Sequence, residues 1–350
     1  MQTSSNPLWK DSVVFEWAQT PAGAAAAKHF VRRFAPLCAA AAQLFATQPR
    51  VLRVRAPAAV LGDMHGNLAD VRRVFAPRLW PGDPLEMQVP VLFLGDYVGR
   101  GYNSPELVAY LFAMALAAPA HVHLLKGNQE CRFRNASAPG GDPSTFGAVC
   151  AARYGARYGA VLWEAANDAF DCLPIALIES PASIVAAALN TEFEHRPAVY
   201  CAHGGFGPLP AGYSSTVATL LSQPVPLRHP EEVPVVRDTL WSGPLPADAK
   251  AECDSAGFCA ADISRSGHSC FSSAALEAFV AREKVALLLR GHSMTPHGVA
   301  LAMRARVLSV FSDARDHGQG QVGSSAAAYA RVDVEEDWRL VVRPTIVRGL

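Results

Sequence analysis

The chain has 350 residues, half of them hydrophobic, which is enough to bury a sizeable core. Lys plus Arg and Asp plus Glu number 31 each, so the formal net charge is zero and bulk charge gives no reason to expect nucleic acid as a partner. No apolar run reaches the roughly 18–20 residues that a membrane helix needs, and no basic-then-apolar signal segment opens the chain. We therefore expect a cytoplasmic or nuclear protein that binds neither nucleic acid nor membrane.

Eight cysteines are present, and none forms a C-x-x-C pair. In a chain of this length without a signal segment, we expect reduced and mostly buried thiols. One alternative stays open: Cys253 and Cys259 lie six residues apart in a predicted loop, where they could pair or bind an ion.

Residues 1–20 show little periodicity and are expected to be a flexible lead-in, with residues 21–350 forming a single domain. From about residue 22 to 47, apolar residues recur at helical spacing. Pro36 lies inside this segment, and we expect it to split or kink the helix.

The segments that follow repeat one pattern, in which a β-rich run ends at a polar loop. These runs are 51–61, 89–94, 122–125, 198–202 and 285–289. Helices are predicted over 67–75, 105–117 and 151–170, irregular chain over 225–237 and 243–267, and further strands over 307–311, 329–334 and 340–347. Strands that end in polar loops predict an α/β protein with a site at the carboxyl ends of its strands.

The first polar loop places Asp63 and His65 two residues apart after a strand. On an extended segment these two side chains point to the same face, so a carboxylate and an imidazole can bind one ion together. The flanking Gly62 and Gly66 allow the backbone to turn sharply around it.

Five motifs follow in an order that is typical of one family. They read Gly62-Asp63-Met64-His65-Gly66, Gly95-Asp96-Tyr97-Val98-Gly99-Arg100-Gly101, Gly127-Asn128-Gln129-Glu130, His203-Gly204-Gly205 and Arg290-Gly291-His292. The chain thereby resembles the PPP-family serine/threonine phosphatases of the calcineurin-like metallophosphoesterase superfamily, whose motifs read GDxHG, GDxVDRG, GNHE, HGG and a late R-G/A-H. The resemblance covers about residues 30–345 and includes segment 168–176 and Leu240-Trp241-Ser242.

The resemblance implies a fold of the metallophosphoesterase type, α/β with a central β-sandwich of two mixed sheets flanked by helices. It implies a phosphoserine/phosphothreonine phosphatase that hydrolyses monoesters with a metal-bridging hydroxide, on phosphoprotein substrates and with possible regulatory protein subunits. The cofactors would be two divalent metal ions, and imidazole plus hard oxygen ligands suits Mn, Fe or Zn. The implied ligands are Asp63, His65, Asp96, Asn128, His203 and His292.

Two arginines are expected to clamp the phosphate. Arg100 matches the family arginine of the second motif, and Arg265 is the expected second clamp because it precedes Phe271 by the family's spacing. Downstream, Asp316 stands where the family places a tyrosine over the site, so contacts made by that loop in relatives are not carried over.

The chain departs from the family at its proton donor. Gln129 stands in the place of the general-acid histidine, and Gly99 replaces the aspartate that orients it. General acid catalysis typically contributes about 10²–10⁴-fold, so we expect low or altered activity with a preference for good leaving groups such as phenols. His268 or His317 could substitute as the acid.

Two other functions stay open. A pseudophosphatase would use the same residues as a metal-stabilised binding or scaffold protein without useful turnover. A phosphodiesterase or nucleotidase could be built on the same scaffold.

Overall fold

The structure is a computed structural model that describes residues 23–81, 87–181, 198–247, 249, 252–260, 269–314, 326–335 and 340–348. The predicted lead-in over 1–20 lies outside the described residues. The same holds for four residues singled out above, Arg265, His268, Asp316 and His317.

Two mixed sheets form the centre of the molecule. The first has the order β1-β5-β6-β10-β12-β11, with β1 Val51–Ala56, β5 Ala176–Pro181, β6 Ala198–Ala202, β10 Val285–Arg290, β11 Val299–Ala302 and β12 Val307–Val310. The second has the order β14-β13-β2-β3-β4, with β2 Ala58–Leu61, β3 Val91–Phe93, β4 Val122–Leu124, β13 Ala326–Val334 and β14 Leu340–Arg348.

The predicted strand over 51–61 is divided between these sheets. β1 pairs with β5 in the first sheet, whereas β2 pairs with β3 and β13 in the second. Pro57 lies at the break, where a residue without a backbone N–H cannot continue the ladder. The change of sheet matters for the site, because β2 then runs parallel to β3 and both end on the same edge.

Apolar side chains from both sheets pack between them. This inner layer includes Val54, Val60, Leu92, Leu177, Val199, Leu289, Leu308 and Val332. Helices cover the outer faces: α1 Gly23–Ala46, α4 Ser104–Ala117 and α6 Phe146–Phe170 pack on the second sheet, and α7 Thr216–Leu221, α8 Pro234–Trp241 and α9 Ser273–Glu283 on the first. The predicted β-sandwich of two mixed sheets flanked by helices is thus confirmed.

Shorter helices lie at the ends of strands. They are α2 Leu68–Asp70, a π-helical turn Val71–Phe75, α3 Ala76–Leu79, a 3₁₀ turn Asn128–Glu130, α5 Arg132–Asn135 and a 3₁₀ turn Pro230–Glu232. The segment 225–237, predicted to be irregular, therefore contains a 3₁₀ turn and the start of α8. Among the described residues, no helix is long and apolar enough to cross a membrane.

The predicted split of the helix at Pro36 does not occur, since α1 runs through this residue as one helix. Proline removes a single N–H from the helical ladder. The helix face around it carries the fully buried Phe34, Cys38 and Ala41, so tertiary packing outweighs that loss.

A small third sheet lies beside the first, in the segment predicted to be loop. Its order is β7-β9-β8, with β7 Gly243–Pro244, β8 Phe258–Ala260 and β9 Ser269–Phe271. Cys253 and Cys259 form a disulfide here, so the expectation of reduced thiols is wrong for this pair. Sequence spacing alone left this pairing open, and the turn between β7 and β8 brings the two residues face to face.

Candidate metal centre

The loops after five strands converge at one edge of the sandwich. Asp63 and His65 follow β2, Asp96 follows β3, Asn128 follows β4, His203 follows β6 and His292 follows β10. Because the parallel strands β2, β3 and β4 end together, and β6 and β10 do the same in the other sheet, the structure brings all six predicted ligands into one site.

The first half of the site consists of Asp63, His65 and Asp96, which could hold an ion together. The Nε2 atom of His65 lies 3.4 Å from Oδ2 of Asp63 and 3.8 Å from Oδ2 of Asp96. All three side chains are buried.

The second half consists of Asp96, His203 and His292. Nε2 of His203 lies 3.2 Å from Oδ1 of Asp96, and the rings of His203 and His292 lie 5.1 Å apart. Asn128 is next to them, with its Nδ2 atom 3.0 Å from Nδ1 of His292. Asp96 therefore belongs to both halves, with one carboxylate oxygen directed towards each.

The donor set fits two divalent cations. Oδ2 of Asp63 and Nε2 of His203 are buried and lack a hydrogen-bond partner of good geometry within the described residues. Buried polar atoms are normally satisfied, and each of these two belongs to a group with Asp96 that could hold a metal ion. Imidazoles with carboxylate and amide oxygens suit Mn, Fe or Zn.

Backbone carbonyls orient the two central imidazoles. Nδ1 of His65 lies 3.2 Å from the carbonyl oxygen of Val98, and Nδ1 of His203 lies 3.0 Å from that of Leu94. A carbonyl accepts a hydrogen bond from the Nδ1–H tautomer, which leaves Nε2 as the ligand atom.

The histidines and aspartates of the site shift each other's pKa values. Burial alone would lower the pKa of His203, but the carboxylates of Asp96 and Asp63 oppose it and raise the pKa to about 9. Burial would likewise raise the pKa of Asp96, but His203 and His65 hold it well below its usual range. Without metal, His203 therefore holds a proton at neutral pH, and a cation bound by its Nε2 atom would have to displace that proton.

Glu130 fastens two of the ligand loops together. One carboxylate oxygen accepts hydrogen bonds from the backbone N–H of Tyr97 and Val98, and the other from those of Asp96 and Gly127, at 2.8–3.3 Å. Burial and the Asp96 carboxylate raise the pKa of Glu130 to about 7. Four N–H donors can be satisfied only by the ionised form, so the loops hold the carboxylate.

Gln129 and Gly99, the replacements for the proton-donor pair, lie in direct contact. A Cβ on Gly99 would lie 2.7 Å from Oε1 of Gln129, so the Gln129 side chain fills the space that a side chain at position 99 would need. Nε2 of Gln129 donates to Oδ1 of Asn128 at 3.2 Å. Gln129 is thus packed into the site beside Asn128, a predicted metal ligand.

Arg100 follows Gly99 and extends away from the core. Its side chain is exposed, and within the described part of the chain its guanidinium makes no hydrogen bond or ion pair. Burial lowers the pKa of His65, in the first half of the site, and the positive charge of Arg100 lowers it further, but the carboxylates of Asp63 and Asp96 outweigh both effects and raise it. A cation at the mouth of the centre without a protein partner can bind phosphate oxygens.

An aromatic pair at the rim was not identified as part of the site from the sequence. The Trp241 ring lies 5.8 Å from the ring of His292, and Phe133 lies 6.3 Å from Trp241 and is 51% exposed. Trp241 belongs to the Leu240-Trp241-Ser242 motif, which is a sequence signal for the first member of this pair. Phe133 follows the third motif by three residues and has no counterpart in the motif pattern.

Comparisons with known proteins agree with this geometry. The sequence profile of the family described as calcineurin-like phosphoesterase matches residues 56–296. The chain is 31% identical over 216 residues to the serine/threonine-protein phosphatase BSL2 of Arabidopsis thaliana, which covers 61% of this chain and 19% of that protein. The match thus spans about a fifth of the length of that curated relative.

Solved structures are similar in fold. A protein serine/threonine phosphatase from Saccharomyces cerevisiae with similarity to human phosphatase PP5 superposes with a TM-score of 0.66 at 19% identity, over 91% of this chain and 90% of that chain. The family resemblance carried by the five motifs is confirmed.

Metal binding should release protons and become tighter as the pH rises. The pKa of His203 is raised to about 9 in the metal-free centre, whereas a histidine ligand must be neutral. We expect affinity for Mn²⁺ to rise by up to about tenfold per pH unit for each proton displaced, measured by titration calorimetry between about pH 6.5 and about pH 8.5. The exposed His29→Gln variant in α1 should keep this dependence, and a pH-independent affinity would contradict the assignment.

Replacing Glu130 by Gln should destabilise the fold. Whichever way the amide turns, its NH₂ group faces two of the four backbone N–H donors and leaves them unsatisfied. The expected loss is about 2–4 kcal/mol in the free energy of unfolding, measured by urea denaturation without metal. The control is Glu277→Gln, at an exposed ion pair 3.4 Å from Arg306, which should change stability by less than about 1 kcal/mol. Equal stability of the two variants would refute the role given to Glu130.

Proposed function

The chain belongs to the calcineurin-like phosphoesterase family, whose members are metal-dependent phosphoester hydrolases, and from this we propose that it is a dinuclear phosphoserine/phosphothreonine monoesterase of reduced or altered activity. The observation that carries the proposal is the position of Asp96 between two groups of ligands. Cytoplasmic or nuclear location, phosphoprotein substrates and regulatory subunits belong to the same proposal.

Two divalent ions bound in this centre would supply a nucleophile at neutral pH and stabilise the charge of the transferring phosphoryl group. Asp63, His65 and Asp96 would hold one ion, and Asp96, Asn128, His203 and His292 the other. The carbonyls of Val98 and Leu94 fix the rings of His65 and His203, so the ligand atoms face inward before substrate arrives.

Arg100 is proposed to bind and orient the phosphate. Its unpaired guanidinium can form two parallel hydrogen bonds to phosphate oxygens. Its backbone N–H donates to the carbonyl of Ser144 at 2.9 Å, which holds the base of the side chain in place. Arg265, expected from its spacing to Phe271, remains the proposed second clamp.

The leaving group receives no proton from the third motif. Gln129 can donate a hydrogen bond but has no titratable proton, and its NH₂ group is already directed at Asn128. Esters whose leaving oxygen is stable as an anion should therefore be hydrolysed best. Phenolic leaving groups meet that condition, and the exposed Phe133 beside Trp241 offers an apolar surface against which an aryl group could lie.

A second candidate function is a pseudophosphatase, a binding protein that holds metal and phosphoprotein without turnover. It is favoured by the close fit between Gln129 and Gly99, which makes the changed pair a packed arrangement rather than a gap. A phosphodiesterase or nucleotidase is the less favoured reading, because segment 168–176 and Leu240-Trp241-Ser242 are typical of the phosphatases.

Replacing Asp96 by Asn should remove catalysis. The variant weakens the proposed ligand that both ions would share. Loss of a residue that only hydrogen-bonds to a metal ligand typically lowers metal affinity or activity by about 10–100-fold. We therefore expect Mn²⁺-dependent hydrolysis of an aryl phosphate to fall by at least about 10²-fold. Metal content, measured by mass spectrometry, should fall below two ions per chain. The control is Asp168→Asn, at an exposed ion pair with Arg132. Equal rates for the wild type and Asp96→Asn would exclude the phosphatase hypothesis and favour the pseudophosphatase.

Restoring the proton donor should require both residues. Gly99→Asp alone places a side chain against Gln129 at a backbone φ of 82°, and should cost about 1–3 kcal/mol in stability with no gain in rate. With Gln129→His added, we expect hydrolysis of alkyl phosphates to rise by about 10²–10⁴-fold and of aryl phosphates by less. An equal rise on both substrates would argue against leaving-group protonation as the missing step.

A further inference from the structure

Three cysteines form a row across the small third sheet. Cys259 on β8 is directly opposite Cys270 on β9 in an antiparallel register, and it forms an antiparallel bridge with Cys253 on its other side. Residues that are directly opposite each other in a ladder place their side chains on the same face. Cys259 is therefore flanked by one cysteine on each side, and Cys253 is the one bonded to it.

The spacing allows either neighbour to bond to Cys259. The Cα atoms of the bonded Cys253 and Cys259 lie 4.1 Å apart. Opposite antiparallel residues, such as Cys259 and Cys270, typically have Cα atoms about 4.5–5.5 Å apart, inside the range of about 4.4–6.8 Å that most disulfides occupy. A thiolate attacks a disulfide along the axis of the S–S bond. The pairing places Cys270 and Cys253 on opposite sides of Cys259 across the sheet, which is the order that such an attack requires.

Access to the row differs along its length. Cys253 is exposed, Cys259 is 2% exposed and Cys270 is half-buried. The row is therefore open to solvent at Cys253 and closed at its centre. A small molecule can reach the sulfur of Cys253, whereas Cys259 is reached only through its two neighbours.

A buried cation lies at the inner end of the row. Gly243 on β7 is paired with Cys270, and Nη2 of Arg290 lies 3.8 Å from the position of a Cβ on Gly243, on the face that the cysteines share. This nitrogen is buried and has no hydrogen-bond partner among the described residues. A guanidinium near a thiol favours its thiolate, which is the form that attacks a disulfide.

We propose that Cys253, Cys259 and Cys270 form a thiol–disulfide exchange site that takes small-molecule disulfides at Cys253. The Cys270 thiolate attacks Sγ of Cys259, the Cys259–Cys270 bond forms, the Cys253–Cys259 bond breaks, and Cys253 leaves as a thiolate. This step has no net oxidation and needs no co-reactant. The released Cys253 thiolate then attacks a small disulfide such as oxidised glutathione, forming a mixed disulfide and releasing one glutathione thiolate.

The exchange would change the disulfide bonding of β9, which lies next to the loop that carries His203. Phe271 follows Cys270 and packs against Gly205, which lies two residues after His203. A Cβ on Gly205 would lie 2.7 Å from the Phe271 ring. A Cys259–Cys270 bond ties β8 to β9 covalently and frees the loop that carries Cys253. The proposal does not depend on phosphatase activity.

The first test uses the wild-type protein with oxidised glutathione, an acid quench, non-reducing proteolysis and mass spectrometry. We expect glutathione on Cys253 together with a Cys259–Cys270 disulfide. In Cys270→Ser no exchange is possible, so Cys253 should stay bonded to Cys259 and carry no glutathione. Glutathione on Cys270 with the Cys253–Cys259 bond intact, or the same Cys253 adduct in Cys270→Ser, would overturn the proposal.

The second test removes the exposed cysteine. Cys253→Ser, oxidised with glutathione disulfide and checked for folding by circular dichroism, should contain a Cys259–Cys270 disulfide in most molecules. Cys38→Ser, which removes a buried thiol in α1, is the matched control and should keep the Cys253–Cys259 bond. If folded Cys253→Ser leaves both Cys259 and Cys270 open to alkylation after a denaturing quench, the row does not support exchange.

Discussion

The carboxylate of Glu130 is the interaction on which the metal centre depends most. Its two oxygens accept four backbone hydrogen bonds, and three of the donors belong to the loop of Asp96 while the fourth precedes Asn128. Hydrogen bonds to a charged group are worth about 1.5–3 kcal/mol each. One buried side chain thus fixes the spacing between a ligand shared by both halves of the site and a ligand of the second half.

This arrangement explains how the residue beside Glu130 could change without disturbing the site. Gln129 holds its position through its backbone N–H, which donates to Oδ1 of Asp96 at 2.9 Å, and through its contact with Gly99. Neither contact requires a histidine. Proton donation and the fixing of the loops are carried by adjacent residues with separate partners, so the first can be lost while the second remains.

Strands that end in polar loops predicted an α/β protein with a site at the carboxyl ends of its strands. The resemblance carried by the five motifs implied the sandwich of two sheets and the set of six ligands. The sequence could not predict that residues 51–61 cross from one sheet to the other, since strand pairing depends on partners more than a hundred residues away. The expected split of the helix at Pro36 was wrong, because burial of one helix face outweighs the loss of one backbone hydrogen bond. The contact between Gly99 and Gln129 could not be predicted from the sequence, because the two residues lie 30 positions apart. Only the fold shows that the Gln129 side chain fills the space that a side chain at position 99 would need.

Three ligand residues have backbones in the left-handed region, with φ values of 43° for His65, 56° for Asp96 and 65° for His292. Such conformations cost about 1–3 kcal/mol each and persist only where the surroundings impose them. The backbone conformation of the loops thus helps to set the positions of these three residues. A substitution at Gln129 or Gly99 can alter the chemistry of the site while the backbone conformation at these three positions stays the same. Proteins with this fold could therefore lose or regain a reaction while the backbone keeps the same positions for the metal ions.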